Sequence, residues 1–357
     1  MRTTLLLLSS LAAGAPIAAA LQHVNYGAFT QTATYSIANQ LGFFTAYGLN
    51  VTYLQVPNST YGYATLLNGG YDIMTGTIDN AVNLRFNSNQ SLTVTGQLDQ
   101  APELTIASIP NITRVDQLKG FSLMVDSPVS GYAFILRKVL SRYGLYLENG
   151  DYTFRVVGST VIRYADLVAG SLPNGTAVYA TILTYPFTSE ARDAYEPQRP
   201  IILASVADFI QPFTSSAFTV RESALQNTTS RALIRTFKAA MYAANQYLAT
   251  PTRQGCSIEA IKNQLNVSIT VAKSAYLAAT NPLTGETSSP GGNFTMNRQG
   301  LLNVIDVRSQ FRGFELVPAD FNFNEAIVPG VGKLIDYSVR DEALAATVRY
   351  SPATSGC

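Results

Sequence analysis

Residues 50–75 read NVTYLQVPNSTYGYATLLNGGYDIMT, and this stretch decides the fold. Residues 50–56 alternate apolar and polar side chains, which is typical of a strand. Residues 60–68 have helical spacing, and two consecutive glycines end that helix. Residues 71–75 predict the next strand. A strand, a helix and a second strand in this order predict a βαβ unit and a parallel sheet.

The same alternation extends in both directions from this unit. Further strands are predicted at 22–26, 91–97, 104–109, 120–125, 152–157, 177–182, 200–204 and 217–221, with helices among them at 32–40, 79–87 and 164–169. Ser127 as N-cap and Pro128 at the first helical position predict a helix that runs to about Tyr143. After 228 the pattern becomes mainly helical, with helices at 229–249, 257–265, 269–279 and 298–311.

The restart of the strand–helix pattern near residue 104 predicts an inserted domain. We expect an α/β fold in which residues 21–103 and 212–357 form a discontinuous first lobe. Residues 104–211 then form the second lobe, and residues 1–20 are a signal peptide.

The composition is that of a globular protein and excludes several classes of function. Of 357 residues, 47% are hydrophobic and 13% charged, and 24 Lys and Arg nearly balance 23 Asp and Glu. This balance gives no basic stripe for nucleic-acid binding. The single histidine, His23, and two cysteines exclude a histidine-rich or four-cysteine zinc site. We therefore expect no metal and no cofactor.

The N-terminus predicts export. Arg2, an apolar run that contains four leucines, and Ala18-Ala19-Ala20 are typical of a secretory signal cleaved near Ala20. The apolar run is too short and interrupted for a membrane span, and no later segment is long enough. We expect a secreted, extracellular protein with no span in the mature chain.

Glycosylation and a disulfide are expected in that compartment. N-x-S/T acceptors occur at Asn50, Asn58, Asn89, Asn111, Asn174, Asn227, Asn266 and Asn293. The two cysteines, Cys256 and Cys357, are predicted to pair and to pin the C-terminal tail.

Several short motifs together carry a family resemblance. They are YG at 26–27, GFF at 42–44, GLNV at 48–51, ATLLNGGYDI at 64–73, VDQLKG at 115–120, SG at 130–131, YGL at 143–145 and TYP at 184–186. In order and spacing they resemble the type II periplasmic-binding-protein fold. The greatest similarity is to its nitrate-, sulfonate- and taurine-binding group, which includes thiamine-pyrimidine synthases and precursor binders. It covers about residues 22–314.

The resemblance implies two α/β lobes, each a mainly parallel sheet flanked by helices, joined by two crossovers. The ligand would lie in the cleft between them, and hinge closure would capture it. The residue pattern agrees, because ligands of open α/β sheets bind outside the carboxyl ends of the strands.

In the first lobe the candidate ligand-binding residues follow the predicted strands. After the first strand, Phe29 either stacks on a flat ligand or packs on its own helix. After the third, Asp79 either accepts a hydrogen bond from a ligand amine or amidine or caps its helix. Ser59 and Thr60 either hold an anion or cap theirs. The full set of candidates here is Tyr26, Phe29, Thr30, Ser59, Thr60, Thr77, Asp79 and Gln97.

In the second lobe the segment 126–131 is the strongest candidate for binding an anion or a polar group. Hydroxyls and free N–H groups lie there at a predicted helix N-terminus, although the charge of Asp126 disfavours a divalent anion. Tyr132 and Tyr185 are candidate aromatic walls. The candidates in this lobe are Asp126, Ser127, Ser130, Gly131, Tyr132, Thr184 and Tyr185.

The preferred hypothesis is a secreted solute-binding protein rather than an enzyme. The expected ligand is a small organic molecule that is pyrimidine-like or thiamine-precursor-like, a sulfonate or a carboxylate. The resemblance implies that the synthases need an internal histidine and a cysteine-rich motif, which this sequence lacks. The alternatives are a related enzyme with unrecognised activity and a secreted interaction protein without a ligand.

The expected partner is therefore a small molecule. We expect no nucleic-acid partner, a monomer, and an ABC importer only if the source is bacterial.

Overall fold

Two five-stranded sheets organise the chain. The computed structural model describes residues 20–347. The strands are β1 (Gln22–Ala28), β2 (Leu49–Gln55), β3 (Ile73–Thr77), β4 (Leu92–Gln97), β5 (Thr105–Ser108), β6 (Ser122–Val125), β7 (Thr153–Val156), β8 (Ala180–Leu183), β9 (Ile201–Ser205) and β10 (Ser216–Arg221). The strand order is β2-β1-β3-β10-β4 in one sheet and β7-β6-β8-β5-β9 in the other.

Helices flank both sheets. They are α1 (Ala33–Gln40), α2 (Phe43–Ala46), α3 (Ser59–Leu67), α4 (Ile78–Val82), α5 (Gly131–Ser141), α6 (Thr160–Ala169), α7 (Phe187–Asp193), α8 (Glu222–Gln226), α9 (Thr228–Leu248), α10 (Gln254–Leu265), α11 (Ile269–Ala279), α12 (Arg298–Gln310), α13 (Phe323–Ala326) and α14 (Ser338–Ala345). Within the described part of the chain, none of these helices has the length and apolar character that a membrane crossing requires.

Each sheet is parallel except for one strand. In the first sheet β1 pairs in parallel with β2 and β3, and β10 is antiparallel to β3 and β4. In the second, β6 pairs in parallel with β7 and β8, and β5 is antiparallel to β8 and β9. The chain crosses between the sheets after β4 and again before β10. These features confirm the predicted two-lobe α/β fold, while the domain limits at 103 and 212 stay predictions.

One predicted helix start is wrong. Helix α5 begins at Gly131 with Ser130 as N-cap, whose hydroxyl accepts from Ala133 N, so Ser127 and Pro128 precede the helix. The Asp126 carboxylate accepts from the Ser130 hydroxyl at 2.7 Å and thereby holds residues 126–130 in a turn. Proline at N1 is only a preference, and this side-chain contact decides where the helix begins.

An aromatic cluster anchors the first lobe. The ring of Phe237 on α9 lies 5.0 Å from Tyr26 on β1 and 5.5 Å from Phe44 on α2, between ring centroids. Tyr35 on α1 stacks on Tyr26 at 5.5 Å. The Tyr26 hydroxyl donates to Thr75 at 2.7 Å, so the buried ring also has a polar partner. The cluster joins three helices to the centre of the sheet.

We expect Phe237→Ala to lower the free energy of unfolding by about 3–5 kcal/mol, because it removes a fully buried ring and leaves a cavity. Urea unfolding followed by circular dichroism measures this change. Leu277→Ala is the control, since that α11 side chain is 64% exposed and its loss should cost at most about 0.5 kcal/mol. Equal effects of the two substitutions would contradict the assigned core.

Candidate functional site

A narrow cleft lies between the two lobes, at the carboxyl ends of their strands. The volume of the cleft that is free of protein atoms is about 650 Å³, including its opening to solvent. Only about 30 Å³ of this volume lies far enough from all protein atoms to hold the centre of a water molecule. The lobes are therefore close together, with room for a small ligand only. The lining residues are Ala28, Phe29, Thr30, Thr32, Thr75, Gly76, Thr77, Asn80, Asp99, Pro102, Asp126, Ser130, Tyr132, Thr160, Arg163, Thr184, Tyr185, Ser216 and Glu286.

Glu286 lies in the cleft wall at the N-terminus of α1. Its two carboxylate oxygens accept from the backbone N–H groups of Ala33 and Thr34, each at 2.7 Å. Asn245 on α9 donates to the Glu286 carbonyl at 3.1 Å and so holds the backbone of this residue. The helix dipole and the two donors make this a favourable position for a carboxylate.

Burial disfavours the ionised form of the Glu286 carboxyl. The side chain is fully buried, and this burial raises the pKa of its carboxyl from 4.5 to about 7, with the charge of Asp99 adding to the rise. The two N–H donors oppose the shift without cancelling it. The carboxyl therefore titrates near neutral pH.

Asp99 supplies a second carboxylate after β4. It accepts from the backbone N–H of Ala101 at 3.0 Å and from that of Ser216 at 3.2 Å. Burial raises the pKa of this carboxyl, and these hydrogen bonds reduce the rise. The position ties the end of β4 to the start of β10, where the chain returns to the first sheet.

Arg163 on α6 is the one positively charged residue of the lining. It is 1% exposed and donates to the carbonyls of Gly158 and Ile182 and to the hydroxyls of Thr160 and Thr181. Desolvation lowers the pKa of this guanidinium, and the charge of Asp126 opposes the shift. Two of these four hydrogen bonds hold α6 against β8, and the other two fix the guanidinium to the start of α6.

Two direct contacts join the lobes at the cleft. Asp126, after β6, accepts from the Ser59 N–H at the start of α3 at 3.0 Å. Asn80 on α4 accepts from the Gly131 N–H at the start of α5, also at 3.0 Å. Each contact satisfies a helix N-terminus of one lobe with a side chain of the other. The two lobes are therefore in a closed arrangement.

A buried ion pair outside the cleft lining adds a further contact between the two lobes. Arg308 on α12 donates through Nε to both carboxylate oxygens of Asp79, at 2.9 and 3.1 Å, and through Nη2 to the Val129 carbonyl at 2.8 Å. Its guanidinium lies 4.2 Å from the centre of the Phe134 ring on α5. Asp79 is thus paired with Arg308 and does not cap α4, whose N-cap is Thr77, while its contact with a ligand stays a prediction.

The structure brings about half of the predicted site residues into the lining. Those in the lining are Phe29, Thr30, Thr77, Asp126, Ser130, Tyr132, Thr184 and Tyr185, and those outside it are Tyr26, Ser59, Thr60, Asp79, Gln97, Ser127 and Gly131. Gln97 accepts from the Thr214 hydroxyl and the Asn297 N–H within the first lobe. Asn58, rather than Ser59 or Thr60, is the N-cap of α3. Contact of any of these residues with a ligand stays a prediction.

Sequence reasoning missed the residues that carry much of the charge. Asp99 was recognisable as a residue just after a strand, whereas Arg163 was one arginine among several with no signal for the cleft. Glu286 lies in a loop rich in Gly, Ser and Pro, where nothing marks it as buried. The other lining residues that were missed are Thr32, Thr75, Asn80, Pro102, Thr160 and Ser216.

The family of the chain follows from comparison with known proteins. Residues 29–252, more than half of the chain, match the family model described as NMT1/THI5 like. The chain therefore belongs to the NMT1/THI5-like family. No curated protein sequence matches it significantly.

Solved structures show the same fold at low identity. The nitrate-binding protein NrtA of Synechocystis is 12% identical with a TM-score of 0.70, over 91% of this chain and 89% of that one. The alkanesulfonate-binding protein SsuA of Xanthomonas axonopodis, bound to MOPS, is 17% identical with a TM-score of 0.63, over 84% and 96%. A Candida albicans gene product with the generic periplasmic-binding-protein fold is 17% identical with a TM-score of 0.61, over 92% and 96%.

We expect Glu286 to make the protein less stable as the pH rises from about 4.5 to 7. The folded state holds the Glu286 proton up to about pH 7, whereas the unfolded chain releases it near 4.5, so the unfolded state gains relative stability over that interval. The change is at most about 3 kcal/mol. Urea unfolding of the wild type and Glu286→Gln across this interval measures it.

The Glu286→Gln variant should lose this part of the pH dependence. Glu325→Gln is a matched control, because Glu325 is an exposed carboxylate of α13 outside the lining. The same slope in Glu286→Gln and in the wild type would refute the assignment of the titration to Glu286.

Proposed function

We propose that the protein is a secreted solute-binding protein that captures a small organic molecule in the interlobe cleft by hinge closure. The observation that carries this proposal is the cleft itself: polar and aromatic side chains of both lobes meet there at the carboxyl ends of the strands. The binding proteins named above, for nitrate and for alkanesulfonate, have the same fold and support a role in binding.

The residues of the cleft favour binding over catalysis. Among residues 20–347, the lining includes no histidine, cysteine or lysine. His23 lies exposed at the start of β1, where its Nε2 is 3.0 Å from Asn25, and Cys256 lies on α10. The residue types that the synthase resemblance requires are thus outside the cleft in the part of the chain that is described. We propose accordingly that the protein is not an enzyme.

The proposal of secretion rests on the predicted signal peptide and on the glycosylation acceptors. Residues 1–19 and Cys357 lie outside the described residues, so the signal segment and the disulfide stay predictions. The acceptors are mostly accessible: Asn50, Asn89, Asn111, Asn174, Asn227 and Asn266 are exposed, and Asn58 and Asn293 are half-buried. An ABC importer remains the proposed partner for a bacterial source alone.

The experiment is thermal unfolding of the full secreted chain against a ligand panel. The panel contains pyrimidines, thiamine fragments, taurine, alkyl and aryl sulfonates, nitrate, aromatic carboxylates, amines and amidines. A ligand at 100 times its Kd should stabilise the fold by about 2.7 kcal/mol and raise Tm by a few degrees. The absence of a shift with every class would overturn the proposed function and favour a secreted interaction protein.

Closure has its own test in Gly131→Ala. A Cβ at this position would lie 2.8 Å from Asp79 Cβ and 2.8 Å from Thr77 Cγ2, so it would keep the lobes apart. Because the lobes of the wild type are in contact, we expect this variant to have a larger radius of gyration than the wild type in small-angle X-ray scattering and to bind ligand about tenfold more weakly. Gly255→Ala is the control, because a Cβ there meets open space. A radius of gyration and an affinity of Gly131→Ala equal to those of the wild type would argue against hinge closure.

A further inference from the structure

Three helix N-termini at the cleft are already occupied by acceptors of the protein itself. The first turn of α1 donates to Glu286, and that of α3 donates to Asp126. The first turn of α5 donates to Asn80 and to the Ser130 hydroxyl. Because helix N-termini are the usual backbone sites for anions, an anionic ligand would have to displace one of these acceptors. Two of the acceptors that it would displace are themselves carboxylates.

The charges of the lining also disfavour an anion. Asp99, Asp126 and Glu286 contribute three carboxylates, against the single guanidinium of Arg163. Four of the five N–H groups of that guanidinium already donate to protein oxygens. Asp79 and Arg308 are both outside the lining and neutralise each other. With its carboxyls ionised, the cleft has an excess of negative charge.

An independent observation is that one residue of the lining has a buried hydroxyl without a partner in the described part of the chain. The Tyr185 hydroxyl is buried, in a residue 2% exposed, and has no hydrogen-bond partner within residues 20–347. Buried hydroxyls are normally paired, so this one has an unused donor and an unused acceptor. Tyr185 belongs to the cleft lining, and burial raises the pKa of its hydroxyl well above its usual range, with the charge of Glu286 adding to the rise. The hydroxyl therefore stays protonated and can both donate and accept.

The cleft lining also includes three aromatic rings. Phe29, Tyr132 and Tyr185 all belong to the lining of this small cleft. Aromatic faces attract cations, and most strongly where water is excluded. The oxygen of a tyrosine hydroxyl can accept a hydrogen bond from an ammonium or amidinium N–H, as can the carboxylates.

We propose that the cleft selects a small organic cation, a protonated amine or amidine, over an anion of the same size. Glu286 and Tyr185 are the specificity-determining residues: the carboxylate compensates the positive charge, and the hydroxyl accepts an N–H from the ligand. This inference rests on the proposed function and names the class of its ligand. This ligand class differs from those of the structural neighbours NrtA, a nitrate-binding protein, and SsuA, an alkanesulfonate-binding protein.

Matched pairs of probes test the sign of the charge. We would titrate the full secreted chain by calorimetry, well above neutral pH, with benzamidine against benzoate and with butylamine against butyrate and butanesulfonate. We expect the cation of at least one pair to bind at least about tenfold more tightly than its anion, the size of a charge-assisted hydrogen bond.

The two possible failures are distinguishable. Equal or tighter binding of the anions would overturn the inference of a cation and leave the proposed solute-binding function supported. The absence of binding by these probes and by the whole thermal-unfolding panel would overturn the proposed function, and the inference with it.

Two variants test the assigned residues. Glu286→Gln should weaken binding of the cation by about tenfold or more and reduce the preference over the matched anion. Tyr185→Phe removes only a hydroxyl without a partner, so it should keep the fold and weaken the cation at least about threefold. Asp166→Asn, outside the lining, should leave the affinity unchanged. Thermal unfolding without ligand verifies that each variant folds, and unchanged cation affinity in both cleft variants would overturn the assignment.

Discussion

Backbone N–H groups at the starts of α1, α3 and α5 face the region between the lobes, and each needs an acceptor there. A buried donor that lacks an acceptor costs about 1–3 kcal/mol of folding free energy, so each of these N–H groups requires an oxygen-bearing side chain next to it. In this protein the acceptors come from distant parts of the chain. Glu286 reaches α1 from a loop after α11, and Asp126 and Asn80 each reach across to the opposite lobe. Because two of these acceptors come from the opposite lobe, the same hydrogen bonds that hold the lobes together also determine which polar groups lie at the cleft.

The carboxylates that satisfy these donors also determine the charge of the cleft. A solute-binding fold with open helix N-termini is suited to anions, because the dipole and the free N–H groups meet the ligand directly. Here the same positions are occupied, so what the cleft presents to a ligand is oxygen atoms and aromatic rings. The shared fold and the different lining are compatible, since a fold defines where a ligand binds and the side chains define which ligand that is.

Much of the fold could be predicted because its signals are local. The alternation in residues 50–56, the glycines after residue 68 and the periodicity of residues 229–249 each depend on neighbouring residues, and the corresponding strand and helices form close to the predicted limits. The start of α5 could not be predicted in this way. The Asp126 carboxylate, which bonds Ser130 and a residue 67 positions away, sets that boundary, and no local pattern contains such a contact.

The same distinction explains the candidate site. Residues at the ends of strands, such as Thr77, or directly after them, such as Phe29 and Thr184, were predictable, because the ends of parallel strands lie at one edge of a sheet. Asp79 also follows a strand, but it lies outside the lining and is paired with Arg308, which is 229 positions later in the chain. Glu286 is the clearest case: its importance comes entirely from tertiary contacts with α1 and α9.

The position of Glu286 in the chain has a consequence for the divergence of such proteins. The family match ends at residue 252, whereas Glu286, which accepts from the first turn of α1, lies 34 positions beyond it. Both sheets, whose last strand ends at Arg221, and this carboxylate of the cleft are thus encoded in separate stretches of sequence. Replacement of one loop would present a different group to α1 while leaving both sheets untouched. A new ligand preference can therefore arise by exchange of a short segment, without redesign of the folded core.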